Sequence, residues 1–212
     1  IDLAIVTHLH QDHYGGIASL ARLMPVEALA LYEGNRQGQE AITEETGLSA
    51  GALRWLAAGD RIRLDREVWI DVLWPEAAGE DGPPPDQEDE NANSLLLQVN
   101  YRGVRTLMTA DMGSEGEGDV LELYGSRASP LLEAHILKVG HHGSRYSTSD
   151  AFLAAVDPGL AVIQVGRNHF GHPHPEVLEK LEENDIMVYD TLQNGAVLVY
   201  IEDGGARVRT MQ

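Results

Sequence analysis

Residues 7–16 read Thr7-His8-Leu9-His10-Gln11-Asp12-His13-Tyr14-Gly15-Gly16 and follow directly on the largely apolar run 1–6, IDLAIV. Three histidines and one aspartate fall within six residues. Imidazole nitrogen and carboxylate oxygen are the ligands that borderline and hard divalent cations prefer. In an extended chain alternate side chains point the same way, so His8, His10 and Asp12 are expected to line one side. A turn after Asp12 then brings His13 round to a second metal. The alternative, a surface loop that happens to be rich in histidine, fits poorly with a strand-like run before the cluster and Gly-Gly after it.

Working outward, residues 1–7 read as a buried strand. Ile17–Leu23 has helical spacing and is closed by Pro25. Residues 26–32 form a second strand, and residues 34–48 a polar helix that Gly47 caps. Residues 60–64 and Val68–Trp74 alternate as strands do, with a turn at 65–67. Residues 76–93 (EAAGEDGPPPDQEDENAN) are acidic, rich in Pro and Gly, and have little to bury, so they read as a solvated loop. Residues 94–101 and 104–109 form a hairpin about Arg102-Gly103. Helices follow at 119–124, at 149–155 with Ser149 as cap, and at Pro175–Glu183 with its proline at the start. Strands are expected at 134–139, 160–165, Met187–Asp190, 196–201 and 207–211. Alternating strands and helices mean a layered α/β protein.

The chain has 212 residues, which suits a single domain, 1–212. Its first residue already lies in a strand, so it reads as a fragment of a longer polypeptide. Fifteen basic residues face 34 acidic ones, a net charge of −19. Such a chain repels polyanions at long range, so a nucleic-acid substrate has to be held by metal ions and a few local basic groups. With no cysteine there is neither a disulfide nor a thiolate metal site. No apolar run reaches the length of a membrane span.

Apart from His135, the nine histidines fall in three clusters: His8/His10/His13, His141/His142 and His169/His172/His174. Each cluster, and Asp111 as well, sits just after an expected strand. Loops at strand ends, held by a rigid sheet, are where α/β proteins build sites. Several such loops converging on one edge can hold two metals about 3.5–4 Å apart, the spacing that clamps both attacking and leaving oxygens.

The motif THLHQDHYGG resembles the HxHxDH signature of the metallo-β-lactamase superfamily, whose fold is an αββα sandwich. Asp111 in LMTADM is similar to its bridging aspartate, and LKVGHHGS to its last ligand strand. The runs LKVGHHGSRYSTSDAFLAAVDP and VIQVGRNHFGHPHPEVLEKL resemble more narrowly the C-terminal hydrolase domains of ComEC-type DNA-uptake proteins. The resemblance spans nearly the whole chain, although the superfamily's first N-terminal strands have no counterpart here.

The resemblance implies two divalent metal ions. His8 and His10 bind the first, Asp12 and His13 the second, Asp111 bridges them, and His141 is favoured over His142 to complete the second. It implies hydrolysis of a phosphodiester, with Asp12 orienting or deprotonating the attacking water. His142, His172 or His174 contacts substrate or protonates the leaving oxygen. Ser144, Arg145 and Asn93 are candidate substrate contacts, with Arg167 a further one.

Most members place another histidine before the bridging aspartate, and none lies between His13 and Asp111. Asn93 or Asp89 then supplies an oxygen ligand, or the first site stays open. Oxygen in place of imidazole favours Mn²⁺, with Zn²⁺ the other option. The implied substrate is DNA, one strand of which is degraded during uptake in natural transformation. The implied partner is a membrane-embedded channel domain of the same polypeptide, which puts this part at the cell membrane on its outer side; no nucleotide cofactor is implied. Two other readings stay open: a hydrolase of small phosphodiesters or phosphorylcholine esters, and a non-catalytic docking domain of a membrane complex.

Overall fold

The computed structural model describes residues 1–79, 89–125, 130–202 and 204–211. Much of the expected acidic loop, residues 80–88, lies outside the described residues. The chain forms two compact units, one of Ile1–Asp60 with Val72–Leu95, the other of Arg61–Asp71 with Leu96–Gln212.

The first unit is built on a parallel sheet of β1 (Ala4–Ile5), β2 (Leu29–Tyr32) and β3 (Leu53–Leu56), in that order. Helices α1 (Gln11–Tyr14), α2 (Ile17–Leu23) and α3 (Gln39–Thr46) connect its strands. All four residues of β2 are buried, as expected of a central parallel strand covered on both faces. Val6, Ile17, Leu29, Leu31, Ile42 and Leu53 pack into one apolar core. The helix expected over 34–48 divides into a 3₁₀ turn, Glu33–Gly38, and α3. It ends at Gly47 with φ 72°, a left-handed cap that glycine adopts without a Cβ clash. The strand expected over 1–7 pairs for two residues only. β3 has no counterpart in the sequence reading.

The second unit carries a seven-stranded sheet in the order β10-β9-β8-β7-β6-β5-β4. Its strands are β4 (Arg61–Arg63), β5 (Val68–Trp74), β6 (Leu96–Tyr101), β7 (Val104–Met108), β8 (Ile136–Lys138), β9 (Leu160–Ile163) and β10 (Met187–Asp190). β5 carries the chain out of this unit after Asp71. β6 and β7 form the expected antiparallel hairpin, and Arg102 and Gly103 both take positive φ (49° and 81°), as a tight two-residue turn requires. From β7 to β10 every pairing is parallel. The crossovers are α4 (Ser114–Tyr124), α5 (Asp150–Val156) and α6 (Pro175–Glu183). After α7 (Thr191–Asn194), β11 (Ala196–Glu202) and β12 (Gly205–Met211) form a separate antiparallel hairpin. Its Val199, Ile201 and Val208 pack on Val104, Ile136 and Leu160 of the sheet.

The segment just after β8 is tied down by a buried carboxylate. Glu117 of α4 is 1% exposed, and it accepts hydrogen bonds from the Thr148 amide and, at 2.8 Å, the Ser149 amide. Ser149 in turn caps α5 by accepting from the Phe152 amide at 3.3 Å. Glu117→Ala strips two amides of a charged acceptor and should destabilise the fold by about 3 kcal/mol, read as a lower denaturant midpoint at unchanged slope.

Candidate metal centre

In the first unit the ligand motif does not run extended through Asp12. His10 is the N-cap of α1, and its carbonyl accepts from the His13 and Tyr14 amides at 3.0 and 2.8 Å. Asp12 and His13 therefore sit on a helical turn, and His13 folds back beside His8, ring centroids 4.1 Å apart. The His8 and His10 rings are 4.8 Å apart. α1 is anchored by Tyr14, whose phenol is pushed up to about 12 by burial and by the neighbouring Glu45 carboxylate.

His8 is 3% exposed, and its Nδ1 lies 3.2 Å from Thr7 Oγ1 and 3.3 Å from Ser94 Oγ. Ser94 arrives because the Leu95 amide donates to the Thr7 carbonyl at 3.0 Å. The segment that the sequence singled out as an oxygen donor thus lies beside the ligand loop. Asp89 Oδ1 accepts from the Asn91 amide at 2.9 Å, and the Asn93 amide donates to the Asp89 carbonyl at 3.2 Å. Asp89 is engaged in closing this turn, while Asn93 stands directly before Ser94.

In the second unit Asp111 follows β7 and is 3% exposed. The Ala110–Asp111 turn and the 140–143 turn are locked to each other. Thr109 Oγ1 donates to the Lys138 carbonyl at 2.8 Å. The Ala110 carbonyl accepts from the His141 amide at 2.9 Å and from Lys138 Nζ at 3.2 Å. Ala110, His141 and His142 all take left-handed backbone conformations (φ 49°, 45° and 55°). Such residues each cost roughly 1–3 kcal/mol and gather where a site dictates the geometry.

His142 Nδ1 donates to the Gln164 carbonyl at 2.7 Å, and its Nε2 faces Asp111 Oδ2 at 3.5 Å. His141 Nε2 is farther from the same oxygen, at 3.9 Å. Asp111 raises the pKa of His142 above the ordinary histidine value, against the opposing pull of burial. His172, with its ring 5.7 Å from that of His141, is lowered, chiefly by burial and then by the neighbouring histidines. His174 is the N-cap of α6: its Nδ1 accepts from the Glu176 amide at 3.4 Å, and its Nε2 meets the Arg145 guanidinium. Ser144 is buried and its hydroxyl accepts from the Tyr146 amide at 3.2 Å, whereas Arg145 is exposed.

Asp12 and His13 in the first unit, and Asp111 and His142 in the second, are of metal-ligating type. Imidazole nitrogens with carboxylate oxygens and no thiolate fit a divalent cation of borderline to hard character. A carbonyl acceptor on Nδ1 is also the partner that fixes a ligating histidine's tautomer, leaving Nε2 for a metal. Sequence reading missed Ser94, Gln164, Lys138 and Asn168. The first three act across gaps of 22 to 86 residues, which spacing alone does not reveal.

A fold with its histidines at strand ends beside a buried aspartate defines a metal-dependent hydrolase class. The match is direct: residues 1–167 fit the model of the metallo-beta-lactamase superfamily, and the chain belongs to that superfamily, whose members use divalent metals. Among individual proteins, the chain is similar to competence proteins. It is 32% identical over 200 residues to ComE operon protein 3 of Bacillus subtilis (strain 168), covering 93% of this chain and 24% of that protein. It is 25% identical over 217 residues to competence protein ComA of Neisseria gonorrhoeae, covering 100% and 27%. It is 33% identical over 111 residues to recombination protein 2 of Haemophilus influenzae, covering 52% and 13%. The chain thus spans about a quarter, or less, of the curated relatives it matches. Among solved structures, a protein described as a metal-dependent hydrolase from Parabacteroides distasonis superposes with a TM-score of 0.55 at 16% identity, over 91% of this chain and 77% of that one. A variant of CmlA beta-hydroxylase gives 0.58 at 11%, over 100% and 44%. These likenesses bear on the fold alone. They support the metallo-β-lactamase fold, mixed α/β with a central sheet, that the motif implied.

The GHPHP loop is fitted onto the GHHG turn through Gly143. The Gly143 carbonyl accepts from the His174 amide at 2.8 Å. Gly143 has φ 82°, and a Cβ there would lie 2.8 Å from Pro173 Cβ. Gly143→Ala should cost about 2 kcal/mol of stability, from backbone strain plus displacement of Pro173, and lower the melting temperature accordingly.

Proposed function

We propose that the chain is a single divalent-metal-dependent phosphodiesterase domain that degrades one strand of DNA during uptake, as part of a longer membrane-associated protein. The observation that carries this reading is the buried Asp111 carboxylate facing His142 Nε2 at 3.5 Å, with His142 oriented by the Gln164 carbonyl. Unlike Glu117, whose buried carboxylate accepts from backbone amides, Asp111 has the Nε2 atoms of two histidines facing its buried carboxylate. The similarity to competence proteins supports a role in DNA uptake, and the proposal adds an extracytoplasmic position beside a membrane channel domain. Among the described residues no helix is long and apolar enough to cross a membrane.

His8, His10, Asp12, His13 and Asp111 are assigned as metal ligands. Of the two adjacent histidines His142, rather than the expected His141, is assigned as the ligand, since it is closer to Asp111 and has the orienting carbonyl. Asn93 would offer the first ion an oxygen donor, which favours Mn²⁺ over Zn²⁺. When bound, the ions supply Lewis acidity toward the phosphoryl oxygens and acidify a water. Asp12, exposed on the first turn of α1, accepts the proton of the attacking water. His172, held below the ordinary histidine value chiefly by burial, contacts the leaving oxygen from beside His141, and that oxygen takes its proton from water. Arg145 pairs with substrate phosphate, and His174 holds its guanidinium in place. Ser144 acts from behind by fixing the Tyr146 amide.

With labelled single-stranded DNA and Mn²⁺, the wild-type domain should cleave. Asp12→Ala and His13→Ala should each lower the rate by roughly 10² or more, with circular dichroism unchanged. Cleavage at the wild-type rate in both variants would overturn the assignment. Ser94→Ala, which removes a hydroxyl partner of His8, should weaken Mn²⁺ binding about tenfold by calorimetry without unfolding the chain.

A further inference from the structure

Phe170 stands out among the apolar side chains because it is 80% exposed yet rigidly mounted. Asn168 staples its loop. The Asn168 Oδ1 accepts from the Phe170 amide at 3.0 Å and the His172 amide at 3.1 Å. Its Nδ2 donates to the Gly166 carbonyl at 2.9 Å and the His172 carbonyl at 2.7 Å. All the capacity of one amide side chain goes into holding an aromatic ring in water. The Phe170 ring stacks on His172 (centroids 5.8 Å, planes 30° apart), and the His172 ring lies 5.7 Å from that of His141. Three rings thus lead from solvent to the Asp111 carboxylate, which His141 Nε2 approaches to 3.9 Å.

The surroundings suit a polyanion carrying aromatic bases. In a chain with 34 acidic residues, neither 140–149 nor 166–175 contains one, while Arg145 and Arg167 are exposed on those two stretches. Exposed guanidinium groups on the same loops as an open aromatic face are a combination by which proteins hold single strands without reading their sequence.

We propose that Phe170 is a stacking platform for one base of a single-stranded polynucleotide, seated beside the nucleotide whose phosphate reaches Asp111. This rests on the nuclease reading and adds to it a subsite that selects an unpaired strand, since a base inside a duplex has no free face to offer. Selection comes from stacking, so it is tolerant of base identity.

The test is fluorescence anisotropy on the folded domain with Ca²⁺ in place of Mn²⁺, comparing oligo-dT with the same strand made abasic at successive positions. Wild type should prefer the intact strand by roughly 5- to 100-fold. Phe170→Ala should bring that ratio close to one, and Phe170→Trp should keep it. A ratio that stays at the wild-type value in Phe170→Ala, or is near one in wild type, overturns the platform. If wild type cleaves DNA with Mn²⁺ while the ratio is one, only the platform fails. If it neither binds nor cleaves any strand, the nuclease reading fails with it.

Discussion

The parallel pairing of β7, β8 and β9 is the constraint on which the second unit's chemistry depends. Met108 pairs with Lys138, and Lys138 with Val162. Asp111, His141 and Val165 each lie three residues beyond those partners. Parallel strands in register deliver their following loops to the same sheet edge, so three separate segments meet without any of them being long. A slip of one residue in β8 would turn Lys138 to the opposite face and carry the histidine pair away from Asp111.

Register alone does not aim a side chain. The aiming comes from backbone conformations that cost free energy, at Ala110, His141 and His142. Those costs are offset locally: one carbonyl, that of Ala110, accepts from both the His141 amide and Lys138 Nζ. Lys138 is buried and contributes a positive charge on the same turn as a buried carboxylate, in a chain of net charge −19. Its effect on His142 opposes that of Asp111, whose hydrogen bond is the larger influence. The balance leaves His142 readier to hold a proton than a histidine in water, so a cation bound at Asp111 would compete with that proton.

Most elements were legible because their signals are local. Pro175 and the apolar spacing after it bound α6 to the residue, and Ser149 caps α5 as read. What was not legible depended on the rest of the chain. β3 is four residues long and has only the buried Leu53 and Leu56 to mark it, too short a pattern to separate from a loop. The closing strands read as sheet members divide: β10 joins the large sheet, while β11 and β12 pair only with each other. In the site, residue types were readable and conformations were not. Histidine rarely takes positive φ, so nothing in GHHG announced that both of its histidines would. The same holds for THLHQDH, where a period-two reading failed because the helix begins at Gln11, before Asp12.

The absent histidine between His13 and Asp111 gains a physical context in the first unit. The chain re-enters this unit's core at Leu95, whose amide bonds the carbonyl of Thr7, one residue before His8. That bond and the Trp74 indole N–H, which donates to the Ala92 carbonyl at 2.7 Å, together hold residues 92–95. They bring the Ser94 hydroxyl to His8 Nδ1 and leave Asn93 as the adjacent polar side chain. No histidine separates His13 from Asp111, and the polar side chains beside His8 come from the segment that precedes β6 in sequence. An amide oxygen is a neutral donor, weaker than imidazole toward Zn²⁺ and better matched to a harder cation. The bond between Leu95 and Thr7 therefore decides which polar side chains stand next to His8.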